Sequence, residues 1–222
     1  MLDPISLSIV GVVALIVAVS VINDTERKLK RRLRKAPLRS IRHLPVRQWA
    51  RFIGKVEPIA EPLSAPLSNR ACAFWRVVVQ EKRGKSYRTL LSREQGQDFS
   101  ISDDTGKLLV RVEGAQLAVE RDGNFSSGVW NEPTEALMRF LTDQGEKATG
   151  WVFNRTLRFS EAVIEEAELV AVTGIAHAEP DPNPHGSSGY RETPMRMVLQ
   201  GKKDAPLIIT DDPALAKVNG KR

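Results

Sequence analysis

The residues able to do chemistry in this chain are few and scattered. Asp104, Thr105 and Gly106 form an Asp-Thr-Gly triplet of the kind that activates water for peptide hydrolysis. That chemistry needs two carboxylates sharing one proton, and the triplet occurs once. Lys107 and Leu108 follow it where a small residue is wanted, and the run from Asp103 to Gly106 has the composition of a hairpin turn. His177, Glu179, Asp181 and His185 offer imidazole and carboxylate donors within nine residues. The interleaved Pro180, Pro182 and Pro184 argue instead for a stiff exposed loop. Cys72 would need exposure and a neighbouring base to act as a nucleophile; on a strand with Phe74 and Trp75 it is expected to be a buried, inert thiol. No Gly-rich phosphate loop and no nucleophile elbow is present in the sequence. No catalytic residue, metal or cofactor is therefore expected, and function is expected to reside in surfaces.

Two surfaces stand out. The first is cationic: Arg27, Lys28, Lys30, Arg31, Arg32, Arg34 and Lys35 place seven basic residues in nine. The second is the Pro- and Gly-rich stretch from Glu179 to Gly189, read as a long loop that recognises a partner through His177, Glu179, Asp181, His185 and Tyr190. Glu161, Glu165, Glu166 and Glu168 form an acidic stretch that reads as a solvated face.

The cationic cluster follows directly on an apolar run from Pro4 to Asn23. Its 18 residues from Ile5 to Ile22 carry no charge, and as a helix they span about 27 Å, close to the thickness of a hydrocarbon core. Ten of the 18 are Val or Ile, poor helix formers in water, but in lipid the helix is the one single-segment solution to backbone hydrogen bonding. A cleaved signal peptide would begin with positive charge, whereas this chain begins Met1, Leu2, Asp3, Pro4 and shows no small-residue cleavage site. With every basic residue on its C-terminal side, the run predicts a single-pass anchor with a cytoplasmic C-terminal domain.

The formal charge of +6 and pI near 9.6 do not indicate nucleic acid, because the charge is concentrated. Residues 24–55 carry a net +10, and residues 56–222 a net −3. An anionic leaflet accounts for that distribution without a nucleic-acid partner. The single cysteine excludes an intramolecular disulfide and suits a reducing compartment.

The elements carrying these residues read as follows. Leu29 and Leu33 suggest that the membrane helix continues as a cationic surface helix until Pro37, and Pro37 to Pro45 is a short linker. Strands are predicted over Trp49–Glu57, Ala71–Lys82, Tyr87–Ser92, Phe99–Ser102, Leu108–Val112, Gln116–Glu120, Arg155–Phe159, Glu168–His177, Met195–Gln200 and Leu207–Thr210. In the first, Ala50, Phe52, Gly54 and Val56 share a face; the second is apolar on both faces and so central in its sheet. One helix, capped by Asn131 and ended by Gly145, interrupts them. The expected fold class is α+β and β-dominated, a barrel-like antiparallel domain with one helix behind an N-terminal transmembrane helix. Its parts are an anchor over 1–23, a basic juxtamembrane helix and linker over 24–45, a β domain over 46–212 and a tail over 213–222. Gly54 to Pro58 followed by Ala65, Pro66 and Leu67 is echoed by Gly174 to Pro180 followed by Ala205, Pro206 and Leu207; related barrel edges and chance both produce such an echo.

The order of motifs resembles the GIDE family, whose module is also called the BAM (beside-a-membrane) domain and occurs in mitochondrial RING-type ubiquitin ligases and in prokaryotic proteins. The resemblance covers about residues 41 to 212. It is carried by Ile53 to Val56; Leu63 to Ser68 with Arg70 and Cys72; Phe99 to Gly106 leading into Val110; Phe140, Leu141 and Gly145; Glu161 to Gly174; and Ala205 to Asp211. It implies an anchored module displayed beside a bilayer, with membrane or membrane-proximal proteins as partners and no catalytic residues to carry over. In the ligases a second span and a RING follow, whereas here ten residues follow Asp212, and one Cys with three His cannot ligate two zinc ions. The expected function is a non-catalytic interaction or scaffold module; the alternative is a ligase-like relative without a RING that presents substrates to a separate catalytic partner.

Overall fold

A computed structural model describes residues 26–119, 123–127, 135–143, 157–182 and 194–217. Among these, thirteen strands appear: β1 (Trp49–Pro58), β2 (Leu63–Ser64), β3 (Ala71–Cys72), β4 (Phe74–Arg83), β5 (Ser86–Gly96), β6 (Phe99–Asp103) and β7 (Gly106–Val110), then β8 (Gln116–Leu117), β9 (Gly123–Ser127), β10 (Leu157–Ile164), β11 (Leu169–Pro180), β12 (Met195–Gln200) and β13 (Ile208–Thr210). The helices are α1 (residues 26–35), α2 (Glu135–Asp143) and α3 (Pro213–Ala216), with a 3-10 turn at Ile41–His43.

Five strands close on themselves in the order β1, β6, β7, β12, β11 and back to β1, with β13 and β8 continuing from β11. Closure removes the unpaired edges that an open sheet leaves exposed. Alternation decides what fills the barrel. Ala50, Phe52 and Val56 of β1 and Val170, Val172 and Ala176 of β11 point inward and meet Phe99, Ile101, Leu108, Val110 and Leu199. The pairings around the ring are antiparallel except one: β12 runs parallel to β7, through Val198 opposite Leu109 and Leu199 opposite Val110. The expected all-antiparallel barrel is thus corrected at this junction, where strands far apart in sequence meet.

β1 and β11 pair from Trp49 opposite Ile175 to Lys55 opposite Leu169. Their remaining edges are used alike. β11 bonds β13 through Thr173 and β12 from Ile175 onward; β1 bonds Pro37 and Arg39 at Arg51 and β6 from Lys55 onward. Each change of neighbour flanks a glycine. A Cβ on Gly54 would lie 2.7 Å from the Ser102 carbonyl oxygen, and one on Gly174 would lie 3.0 Å from that of Gln200. Gly54 and Gly174 thus occupy alike places on their two strands. The second half of the echo has no such counterpart, since Leu67 packs against the second core and Leu207 in the barrel.

A four-stranded sheet ordered β5, β4, β10, β9 lies beside the barrel. One face of β4 supplies Trp75, Val77 and Val79 to a second core with Leu157, Phe159, Val163 and Phe140 of α2. Phe74 turns the other way into the barrel core, while Arg76 and Val78 on that same face stay half-buried. The predicted strand Ala71–Lys82 is broken at Ala73, whose N–H donates to Ile164 and whose carbonyl accepts from Gln97. β10 runs on past Phe159 to Ile164, because Ser160 and Glu161, polar residues that read as a strand end, are buried within it.

The largest departure lies at the N-terminal side. The leucines expected to ride on a lipid surface are buried in the domain: Leu33 is 0% exposed, and Leu29, Leu33, Ile53, Ala118, Ala171, Ile208, Leu215 and Ala216 form one cluster on the outer wall of the barrel. The segment expected to be a linker is stitched down. Pro37 accepts from Arg51 N–H and Arg39 N–H donates to Arg51, both at 2.9 Å, while Ile41 is buried and its N–H donates to Asp103 Oδ2 at 2.9 Å. Residues 26–45 therefore belong to the folded unit, and so do 213–216 of the expected tail. Among the described residues no helix is long and apolar enough to cross a membrane; the apolar run from Pro4 to Asn23 lies outside them.

Candidate functional site

α1 is amphipathic, and the domain takes its apolar stripe. Leu29, Leu33 and Ala36, spaced four and three apart, face the barrel, leaving Arg27, Lys28, Arg31, Arg32, Arg34 and Lys35 exposed on the opposite side. Lys30, the seventh predicted contact, is turned aside: its Nζ lies 2.7 Å from Asp212 Oδ2. Burial pushes the Asp212 carboxyl up, but the hydrogen bonds from Lys30 and from Ala214 N–H, with the charges of Lys30 and Arg34, hold it below the ordinary aspartate range. Asp212 also caps α3 through Ala214.

The basic surface runs further than the seven residues suggested by sequence. Arg39, Arg42 and Arg47 are exposed along the stretch between α1 and β1, interspersed with two exposed apolar side chains, Leu38 at 40% and Val46 at 55%. Hydrogen bonds hold this stretch in place. Arg42 N–H donates to Thr105 Oγ1 at 2.9 Å and Arg47 N–H to the Ala176 carbonyl at 3.0 Å.

Two residues assigned to the recognition loop lie on a strand. His177 and Glu179 are part of β11, where Glu179 stands opposite Arg196 of β12. The Glu179 carboxylate accepts from Arg196 Nε at 2.9 Å and from Arg111 at 3.1 Å, with His177 Nε2 3.8 Å away. The Arg196 hydrogen bond, opposed by burial and aided by the charges of Arg111, Arg196 and His177, holds its carboxyl below the usual range. Asp181 N–H donates to the Pro194 carbonyl at 2.8 Å, which ties together the described segments on either side of residues 183–193. His185 and Tyr190 lie outside the described residues. Among the described residues no group of three His, Cys, Asp or Glu is placed to hold a metal ion. Sequence reasoning missed Arg111 and Arg196, because strand register alone brings them to Glu179.

The other candidate residues serve the fold. Asp103 Oδ1 accepts from Thr105 N–H at 2.7 Å, Thr105 Oγ1 at 2.6 Å and Gly106 N–H at 3.0 Å, so the Asp-Thr-Gly triplet is a hairpin turn. Burial acts to raise the Asp103 carboxyl, yet these bonds and that from Ile41 N–H lower it overall. Cys72 is 2% exposed, and burial together with the charges of Glu161 and Glu165 pushes its thiol up to about 11.

Glu161 overturns the reading of the acidic stretch as solvated. It is 1% exposed, and its two oxygens accept from Leu67 N–H at 2.8 Å and Ser68 N–H at 3.1 Å. Glu165 pairs with Arg70 at 3.1 Å and Glu168 accepts from Glu165 N–H, which leaves Glu166 as the exposed member. A groove of about 480 Å³ opens between the end of β5 and the Val112 to Leu117 turn. Two of its carboxylates, Glu94 and Asp98, are engaged by Arg76 and Arg111. Comparisons of this chain with family models, with curated proteins and with solved structures give no match.

Proposed function

We propose that this chain is a single-pass, membrane-anchored interaction module of the GIDE/BAM type, with its folded part on the cytoplasmic side and no catalysis of its own. The observation that carries the reading is the seating of α1: the helix next to the uncharged run from Pro4 to Asn23 is held to the barrel by Leu29, Leu33 and the Lys30–Asp212 pair. An anchor so placed holds the domain at the bilayer, and the bond between Asp181 and Pro194 ties together the two ends that flank the expected recognition segment for membrane-proximal proteins. The buried or half-buried carboxylates of Asp103, Glu161, Glu179 and Asp212 are engaged in internal bonds, which supports binding over catalysis. Two measurements test the proposal. The full chain should resist alkaline extraction from membranes, and a C-terminal reporter should be active on the cytoplasmic side only; release by alkali, or a reporter active on the opposite side, overturns it. Crosslinking from residue Tyr190 in native membranes should yield membrane-protein partners; recovery of ubiquitin-pathway components would favour the ligase-like relative.

A further inference from the structure

We infer that the barrel itself docks on an anionic bilayer, lying against it through the stretch between α1 and β1, with Leu38 and Val46 entering the interface among Arg39, Arg42 and Arg47. The inference rests on the membrane anchor proposed above and adds the orientation of the domain. Residues 26–47 are bound to the barrel and are no tether, so the orientation of α1 sets the orientation of the domain.

Three observations carry it. First, the side of α1 away from the barrel is wholly cationic at its exposed positions, and exposed cations continue through Arg39, Arg42 and Arg47. In residues 26–48 the only acidic residue is Glu26, so this stretch complements an anionic leaflet. Second, a ten-residue helix is about 15 Å long and screening cuts surface attraction off at about 8 Å in physiological salt. An upright α1 would lift Arg34, Lys35 and everything after them out of the leaflet's reach. A helix lying flat between barrel and headgroups keeps all of these cations within it. Third, Leu38 and Val46 are exposed among the arginines and held by backbone bridges to Arg51 and Ala176. Apolar side chains fixed amid cations form an interfacial surface, in which area buried in the acyl boundary adds to charge attraction. Ile59, also exposed at 48%, supplies the contrast. It follows the far end of β1, about 30 Å from Trp49 at the rise of a strand.

The test uses the full chain in lipid nanodiscs, carrying an environment-sensitive fluorophore at Leu38→Cys, Val46→Cys or Ile59→Cys. Cys72, buried and with a raised pKa, stays unlabelled. All three positions are exposed, so the substitutions leave the core intact. In discs rich in phosphatidylglycerol, spin-labelled lipid should quench the probes at 38 and 46 at least threefold more than the probe at 59. Neutral phosphatidylcholine discs, or the double variant Arg39→Glu, Arg42→Glu, should remove most of that difference. Equal quenching at all three sites, quenching indifferent to lipid charge, or probes shielded without quenching, as by a second copy of the chain, overturns the docking. If the chain co-elutes with discs but is not quenched, docking alone fails; if it does not co-elute, the anchor fails with it.

Discussion

Lys30 Nζ lies 2.7 Å from Asp212 Oδ2, and this pair ties the helix nearest the apolar run to the residue that caps the last described helix. Chain positions 182 residues apart thereby close the unit whose outer surface carries the basic face.

Replacing Asp212 by Ala should remove both the ion pair and the α3 cap, costing about 1–2 kcal/mol. The folded-state pKa of Asp212 is lowered, so its contribution is present above the unfolded carboxylate value and is lost as pH falls through the folded one. Urea midpoints of wild type and D212A should therefore differ at pH 7 and converge as the pH falls below the ordinary aspartate range. A gap that persists unchanged into acid would show that the pair is not its source.

Leu33→Ala should destabilise the domain by roughly 2–5 kcal/mol, the usual cost of a core leucine. A helix merely resting on lipid would show almost no change, so the urea midpoint of the variant distinguishes the two. Cutting the chain at residue 46 should be harsher still, since it uncovers Ile53, Ala171 and Ile208 and removes Ile41 from the barrel core.

Glu161→Ala strands two backbone N–H groups, those of Leu67 and Ser68, in a half-buried turn. The expected loss is about 3 kcal/mol. Hydrogen exchange at those two amides should rise well before global unfolding, while a solvated Glu161 would leave both rates unaltered. Glu166→Ala, at an exposed position of the same stretch, should fall within about 0.5 kcal/mol of wild type.

With a pKa of about 11, the Cys72 thiol should be unreactive toward iodoacetamide at pH 8, where about one part in a thousand is thiolate. Burial lowers the rate further. Full alkylation in urea and almost none in the folded protein is the expected pattern; rapid native-state alkylation would mean that the β2–β3 turn does not cover it.

Local physics made much of this chain legible. Alternation disclosed the inward face of β1 and the Trp75, Val77 and Val79 face of β4, and the Asp103 to Gly106 chemistry disclosed a hairpin, since both depend on near neighbours. The burial of the Cys72 thiol followed from its apolar flanks in the same way. Tertiary structure alone decided the parallel closure of β12 on β7, the pairing of Arg111 and Arg196 with Glu179, and the burial of Glu161 beneath Leu67 and Ser68. Each joins groups 17 or more residues apart, and nothing in the identity of a glutamate says which donor will reach it. The apolar stripe of α1 is the clearest division between the two. Sequence determined that Leu29 and Leu33 share a face among the cations; whether that face meets lipid or protein depends on which apolar surface the folded chain offers it, and the barrel wall around Ile53, Ala171 and Ile208 exists only once β1, β11 and β13 have come together.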